Sequence, residues 1–256
     1  MSPSESLAVS AADVRAMIVQ MAAQGTESIE QIETVVDSLG STHKQTQRRA
    51  VDALCTLHQR GVDVRALLSR LLADPQPLRR WGAAFTLARC GGVPSEAVPV
   101  LLEFLGSTDG DVRWAAAEIL THVPADCSLN DALLDLLRGG NPAQRKMAAY
   151  CLRDRLAASE AVDSALLKAL YDDEVSVRLA AVSALARVAV DRSRAAHTLV
   201  AALDDSDPRM GRAAAAALGE LGALEEPVVA ALREVARTGD ASRRRAAERS
   251  LHRLGV

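Results

Sequence analysis

Aromatic side chains are almost missing from this chain. Two Trp, two Tyr and two Phe make up 2% of its 256 residues. Lysine is equally scarce, confined to Lys44, Lys146 and Lys168, so arginine carries the positive charge, which we read as coding bias more than chemistry. The four cysteines, Cys55, Cys90, Cys127 and Cys151, are scattered and form no Cys-x-x-Cys pair. That argues against a zinc or disulfide framework and fits a reducing compartment. No apolar run approaches the ~18 residues of a membrane span. The opening "MSPSESLAVSAADVRA" lacks the charged and apolar regions of a secretory signal. A cytoplasmic protein without a membrane association is therefore expected. His43, His58, His122, His197 and His252 stand singly, without the spacing of a metal site. There is no Gly-rich phosphate loop and no Gly-x-Ser-x-Gly elbow. Neither a catalytic constellation nor a cofactor is expected. A net charge of -3 gives no general attraction to nucleic acid or anionic lipid.

The chain is instead rich in Ala, Leu and Val, within an apolar share of 49%. That composition favours close-packed helices over sheets. Its two tryptophans, Trp81 and Trp114, stand 33 positions apart (114 minus 81), in "RRWGAAFTL" and "VRWAAAEIL". The same nine-residue window recurs as "TQRRAVDAL" from Thr46, "QRKMAAYCL" from Gln144, "VRLAAVSAL" from Val177, "MGRAAAAAL" from Met210 and "RRRAAERSL" from Arg243. The fifth window position is Ala50, Ala83, Ala116, Ala148, Ala181, Ala214 and Ala247; the ninth is always Leu. Upstream lies a paired stripe, such as Leu68 with Leu72 or Leu101 with Leu105, at the i, i+4 spacing of an amphipathic helix. A polar break separates stripe from window. Asp109, Asn141, Asp207 and Asp240 suit its capping position, with Pro142 and Pro208 at the helix start. The pattern predicts seven two-helix repeats near 27–59, 60–92, 93–125, 126–157, 158–190, 191–223 and 224–256. One hairpin cannot bury its own apolar face, but stacked hairpins can, and alanine lets helices approach to roughly 8–10 Å. The expected fold is all-α: a right-handed α-solenoid occupying 12–256 as a single domain. "DVRAMIVQM" (Asp13–Met21) should be a lone second helix covering its N-terminal end, after a loosely held N-terminus over 1–11.

"DGDVRWAAAEIL" and "DEVSVRLAAVSAL" resemble HEAT repeats, in particular the short HEAT-like class of phycobilisome bilin lyases. The resemblance covers about 27–256. It is specific for fold and poor for function, since HEAT-like proteins include scaffolds, adaptors, chromophore lyases and DNA glycosylases. The His-Glu dyads of a HEAT-type di-iron hydroxylase are absent.

Function in such an array resides in exposed columns that depart from the consensus. The second window position carries Arg80, Arg113, Arg145, Arg178 and Arg244. An acidic or amide residue four positions earlier makes a structural ladder between repeats a better reading than a nucleic-acid surface. The third position reads Arg48, Trp81, Trp114, Lys146, Leu179, Arg212, Arg245. The seventh reads Asp52, Phe85, Glu118, Tyr150, Ser183, Ala216, Arg249. These columns share a helix face and should point away from the core, on the concave side if the resemblance holds. The next turn adds Arg89, His122, Asp154 and Arg187. Four of the six aromatics, Trp81, Phe85, Trp114 and Tyr150, thus fall into one predicted patch edged by Glu118, Lys146, Arg89 and Asp154. Aromatic anchors beside a few charges suit a binding hot spot. The alternative is that the tryptophans plug grooves between second helices. The leading expectation is a monomeric, non-catalytic adaptor holding a protein or peptide there. Two alternatives come from the resemblance: a bilin-lyase-like handler of a tetrapyrrole, and a HEAT-like DNA glycosylase with Glu118 as its only candidate acid and Arg212, Arg245 and Arg249 on phosphates. The excess of arginine between Arg233 and Arg253 reads as a solvated end cap.

Overall fold

A computed structural model describes residues 11–256 apart from Thr26, Ala125 and Asp126. The expectation for residues 1–10 lies outside these. Among the described residues the regular structure is helical: fifteen α-helices and two short 3₁₀ turns. A leading helix α1 (Ala11–Gln24) precedes seven successive pairs. The pairs are α2 (Ile29–Ser38) and α3 (Lys44–Gln59); α4 (Val64–Leu71) and α5 (Pro77–Arg89); α6 (Val98–Phe104) and α7 (Gly110–His122); and α8 (Cys127–Gly139) and α9 (Pro142–Asp154). They continue with α10 (Glu160–Ala169) and α11 (Val175–Val188); α12 (Arg192–Ala201) and α13 (Pro208–Leu221); and α14 (Glu226–Thr238) and α15 (Ala241–Leu254).

The helices group into two compact units, divided along the chain between Phe104 and Leu105. In the first, α2 packs on α3, α4 on α5, and α3 on α5. Helix α1 covers its N-terminal end through Ile18 and Met21, both buried. It rests on α2 and α4, which are first helices, rather than extending the second-helix layer. In the second unit the second helices stack in the order α7, α9, α11, α13, α15, and the first helices in the order α8, α10, α12, α14. Two layers therefore run side by side, each repeat touching its neighbours.

The alanine column is what permits this spacing. All seven fifth-position alanines are buried, six of them completely. Leu54, Leu87, Leu120, Leu152, Leu185 and Leu218 of the ninth column are fully buried, each contributing about 1.5–3 kcal/mol. Asp109, Asn141, Asp207 and Asp240 accept hydrogen bonds from the first amides of α7, α9, α13 and α15. Pro142 and Pro208 open α9 and α13, where no amide hydrogen is needed.

The arginine column is a ladder, with partners other than those the i, i+4 spacing suggests. Nη1 of Arg80, Arg113, Arg145 and Arg178 donates to the carbonyls of Asp74, Ser107, Gly140 and Asp172, neutralising the end of the preceding helix or its break. The remaining nitrogens reach forward. Arg145 grips Asp172 through two bonds of 2.7 and 2.8 Å, and Arg178 grips Asp205 through two of 3.1 Å. In the sixth repeat the position is Gly211. A Cβ there would stand 2.6 Å from the Leu203 carbonyl and 2.7 Å from Cδ of Arg243. Arg243 enters that space and donates to Leu203 O itself, so the rung is supplied from the following helix.

Candidate functional site

In the first unit, α5 carries Trp81 and Phe85 one turn apart. Trp81 is only 4% exposed. Its ring lies 5.4 Å from Phe85 and 5.4 Å from Phe104 of α6, tilted against both. The expectation that Trp81 faces outward is overturned. Its flanking residues Gly82, Ala83 and Ala84 are small and buried, and the indole supplies the bulk that joins α5 to α6. Phe85 is half-buried beside it. Arg89 is exposed, and its guanidinium pairs with Asp52 of α3 at 3.0 Å, a bridge between consecutive repeats.

The aromatics of the second unit behave differently. Trp114 on α7 is 50% exposed. Its ring stacks on Tyr150 of α9 with centroids 5.4 Å apart and planes 24° from parallel. The guanidinium carbon of Arg153 sits 4.7 Å from the Tyr150 centroid, and Nζ of Lys146 sits 6.0 Å from it. Tyr150 thus has an indole and two cations around its ring, a favourable match of cation and π-electron density. Arg153 is held in place from both sides. It donates to Ser183 Oγ on α11 at 2.8 Å and, through a fork of 2.8 and 2.9 Å, to Asp154. The hydrogen bond to Asp154 raises the Arg153 pKa further, against the opposing effect of burial. Glu118 is exposed one turn after Trp114 and makes no ion pair among the described residues.

Beyond this cluster the face of the second helices is arginine-rich. Arg187, Arg212, Arg245 and Arg249 are exposed on α11, α13 and α15, with no ion pair or side-chain hydrogen bond among the described residues. Two acids stand on the same helices, Glu220 of α13, 3.9 Å from Arg253, and the exposed Glu248 of α15. By contrast, a cleft of about 300 Å³, lined by Arg138, Arg145, Lys168 and Tyr171, includes the Arg145–Asp172 pair in its lining. Those two charges already neutralise each other.

Of the eight predicted site residues, the second unit brings together Trp114, Tyr150 and Lys146, with Asp154 tied in through Arg153. Arg153 itself went unnoticed in the sequence. Its signal was the i, i+3 relation to Tyr150, visible only once the ring's direction is known. Cys151, next to Tyr150, points inward; burial pushes its thiol up to about 12.

The family model for HEAT repeats matches the chain over 32–121, 64–153, 98–186 and 162–252. The chain belongs to the HEAT-repeat family. No curated protein matches it in sequence. Among solved structures it is similar to the archaeal HEAT-like repeats protein from Thermococcus onnurineus NA1, at 14% identity and a TM-score of 0.53, over 88% of this chain and 97% of that one. A designed armadillo repeat protein in complex with the peptide (KR)4 matches at 16% identity and a TM-score of 0.46, over 88% and 99%. The complex of CpcE and CpcF of phycocyanin lyase from Nostoc matches at 23% identity and a TM-score of 0.41, over 88% and 93%. At these identities the likeness concerns the fold alone. This HEAT-repeat chain has no helix long and apolar enough to cross a membrane among its described residues.

Proposed function

We propose that this HEAT-repeat protein is a non-catalytic adaptor. The exposed face of its second helices in the unit 105–256 holds an acidic segment of a partner protein. The observation that carries this reading is Trp114, a half-exposed indole in a chain with only two tryptophans, stacked on Tyr150 beside Lys146 and Arg153. Exposed aromatic surface next to an immobilised cation is what a hot spot offers to an apolar or aromatic anchor. The unpaired guanidinium groups of Arg187, Arg212, Arg245 and Arg249 supply complementarity to carboxylates along the same helices. Glu118, Asp154, Glu220 and Glu248 interrupt that positive charge. A peptide of mixed sequence accommodates such interruptions better than a uniformly charged phosphate backbone does. The free thiols of Cys55, Cys90 and Cys151 suit a cytoplasmic setting. The adaptor acts as a monomer, and neither Phe85 nor Arg89 is needed at its site.

The test is a random peptide library displayed on phage, selected on wild type and on Trp114→Ala. Wild type should enrich acidic peptides that carry one aromatic or large aliphatic residue. Trp114→Ala should lose that enrichment while keeping its helical circular dichroism. Equal enrichment by both proteins, or enrichment of basic peptides, would overturn the reading.

A further inference from the structure

In the first unit two thiols meet across consecutive repeats. Cys55 stands in the last turn and a half of α3, and Cys90 is the residue that caps the end of α5. They are 35 positions apart, yet their Sγ atoms lie 3.0 Å from each other, in a thiol–thiol hydrogen bond. Both are free. The surrounding contacts hold the two helices in this register. Asp52 of α3 pairs with Arg89 of α5 at 3.0 Å, and Arg65 of α4 donates to the Cys90 carbonyl at 3.5 Å. A disulfide needs sulfurs at about 2.05 Å, so closure asks for a shift of roughly one ångström. The chain after Cys90 can supply it. Gly91 and Gly92 both have positive φ, and a Cβ at either would meet nothing within 4 Å.

We propose that Cys55 and Cys90 form a dithiol site that a small disulfide such as oxidised glutathione converts to an intramolecular disulfide, cross-linking α3 to the end of α5. The two thiols have different parts. Cys55 is half-buried and meets the reagent, whereas Cys90 is buried. Burial, reinforced by the hydrogen bond and charge of Cys55, pushes the Cys90 thiol up to about 12, against the pull of Arg65 and Arg89. Cys90 is therefore a poor first nucleophile. Cys55 loses its proton to water and attacks one sulfur of oxidised glutathione. A Cys55–glutathione disulfide forms and one glutathione thiolate departs. The Cys90 sulfur, already in contact, then attacks the Cys55 sulfur. The bond to glutathione breaks, and the second glutathione leaves with the Cys90 proton. Two S–H bonds become one S–S bond, and two electrons pass to the reagent, which is reduced to two glutathiones. The site lies in the unit that lacks Trp114 and Tyr150, so the inference stands apart from the adaptor reading.

The experiment equilibrates the full chain in glutathione buffers of increasing oxidised fraction, quenches with acid, alkylates the unfolded protein and maps its peptides. Wild type and a Cys127→Ser, Cys151→Ser double variant should each lose two alkylatable thiols and yield a peptide joining Cys55 to Cys90. Cys90→Ser should instead accumulate glutathione on Cys55. Should a serine variant fail to fold, the wild-type map still decides. A wild type that stops at the Cys55–glutathione adduct, that keeps all thiols alkylatable, or that links Cys55 or Cys90 to another cysteine would overturn the proposal.

Discussion

The two tryptophans provide an internal contrast, because they share a repeat column and differ in environment. Trp81 is 4% exposed and packs against Phe85 and Phe104. Truncating it to alanine removes a buried indole and leaves a cavity that an alanine-rich neighbourhood cannot fill. The cost for such a change is about 4 kcal/mol. Trp114 is 50% exposed, and its truncation forfeits one ring stack and some partial burial, about 1 kcal/mol. At about 2–4 °C per kcal/mol for a chain of this size, Trp81→Ala should lower the Tm by about 8–16 °C and Trp114→Ala by about 2–4 °C. Helical circular dichroism is the suitable probe, since either variant deletes half of the tryptophan signal and a repeat array can unfold in stages. The pair of phenylalanine variants completes the test. With Trp114→Phe the remaining indole should resist acrylamide quenching, and with Trp81→Phe it should be quenched readily. Equal Tm losses in the two alanine variants, or the larger loss in Trp114→Ala, would refute the assignment of Trp81 to packing and Trp114 to the surface.

Asp172 should make the array acid-sensitive. Burial alone would raise its pKa, but the bonds from Arg145 and the Glu174 amide, with the charges of Arg145 and Arg178, outweigh it and hold the carboxyl below its ordinary value. A depressed carboxylate stabilises the folded state fully above the ordinary carboxylate range, about pH 4–5, and loses that contribution as pH falls below it. Asp172→Asn should cost about 2 kcal/mol at neutral pH and flatten the acid limb of a Tm-against-pH curve. Gly219 of α13 faces α15 so closely that a Cβ would stand 2.5 Å from Ser250 Oγ and 2.9 Å from its Cα. Gly219→Ala should therefore destabilise by about 1–3 kcal/mol in urea titration, although alanine is the better helix former. Asp163 is 3% exposed and accepts the amides of Val190 and Asp191 at 2.9–3.2 Å. Asp163→Ala leaves those amides without an acceptor and should cost about 2–3 kcal/mol, and Asp163→Asn less, since one carbonyl oxygen remains.

The repeats were legible because their causes are local. A stripe of leucines four apart, a capping Asp or Asn, a Pro at the helix start and a fixed Ala-to-Leu spacing each act within one or two turns. Together they placed seven hairpins and the core columns. Partners across repeats were less legible. The ladder arginines stand four residues after an acidic or amide residue, yet Asp109, Asn141 and Asp240 among these spend their side chains on capping their own helices. The guanidiniums of Arg145 and Arg178 turn instead to Asp172 and Asp205, in the next repeat. The Cys55–Cys90 contact was invisible for the same reason, since 35 positions of sequence carry no sign that two thiols face each other.

Sequence alone determined that this chain is a HEAT-type helical repeat: periodic burial is encoded in side chains that meet within a hairpin and recurs in every copy. Only the tertiary structure decided which members of a column are core and which are surface. Trp81 and Trp114 occupy equivalent positions. The first has Phe85 and Phe104 within reach and is buried. The second finds Tyr150, whose ring also carries Arg153 at 4.7 Å, and remains half in solvent. What an indole does at that position depends on the side chains that the neighbouring repeats bring to it, and the repeat pattern does not specify them.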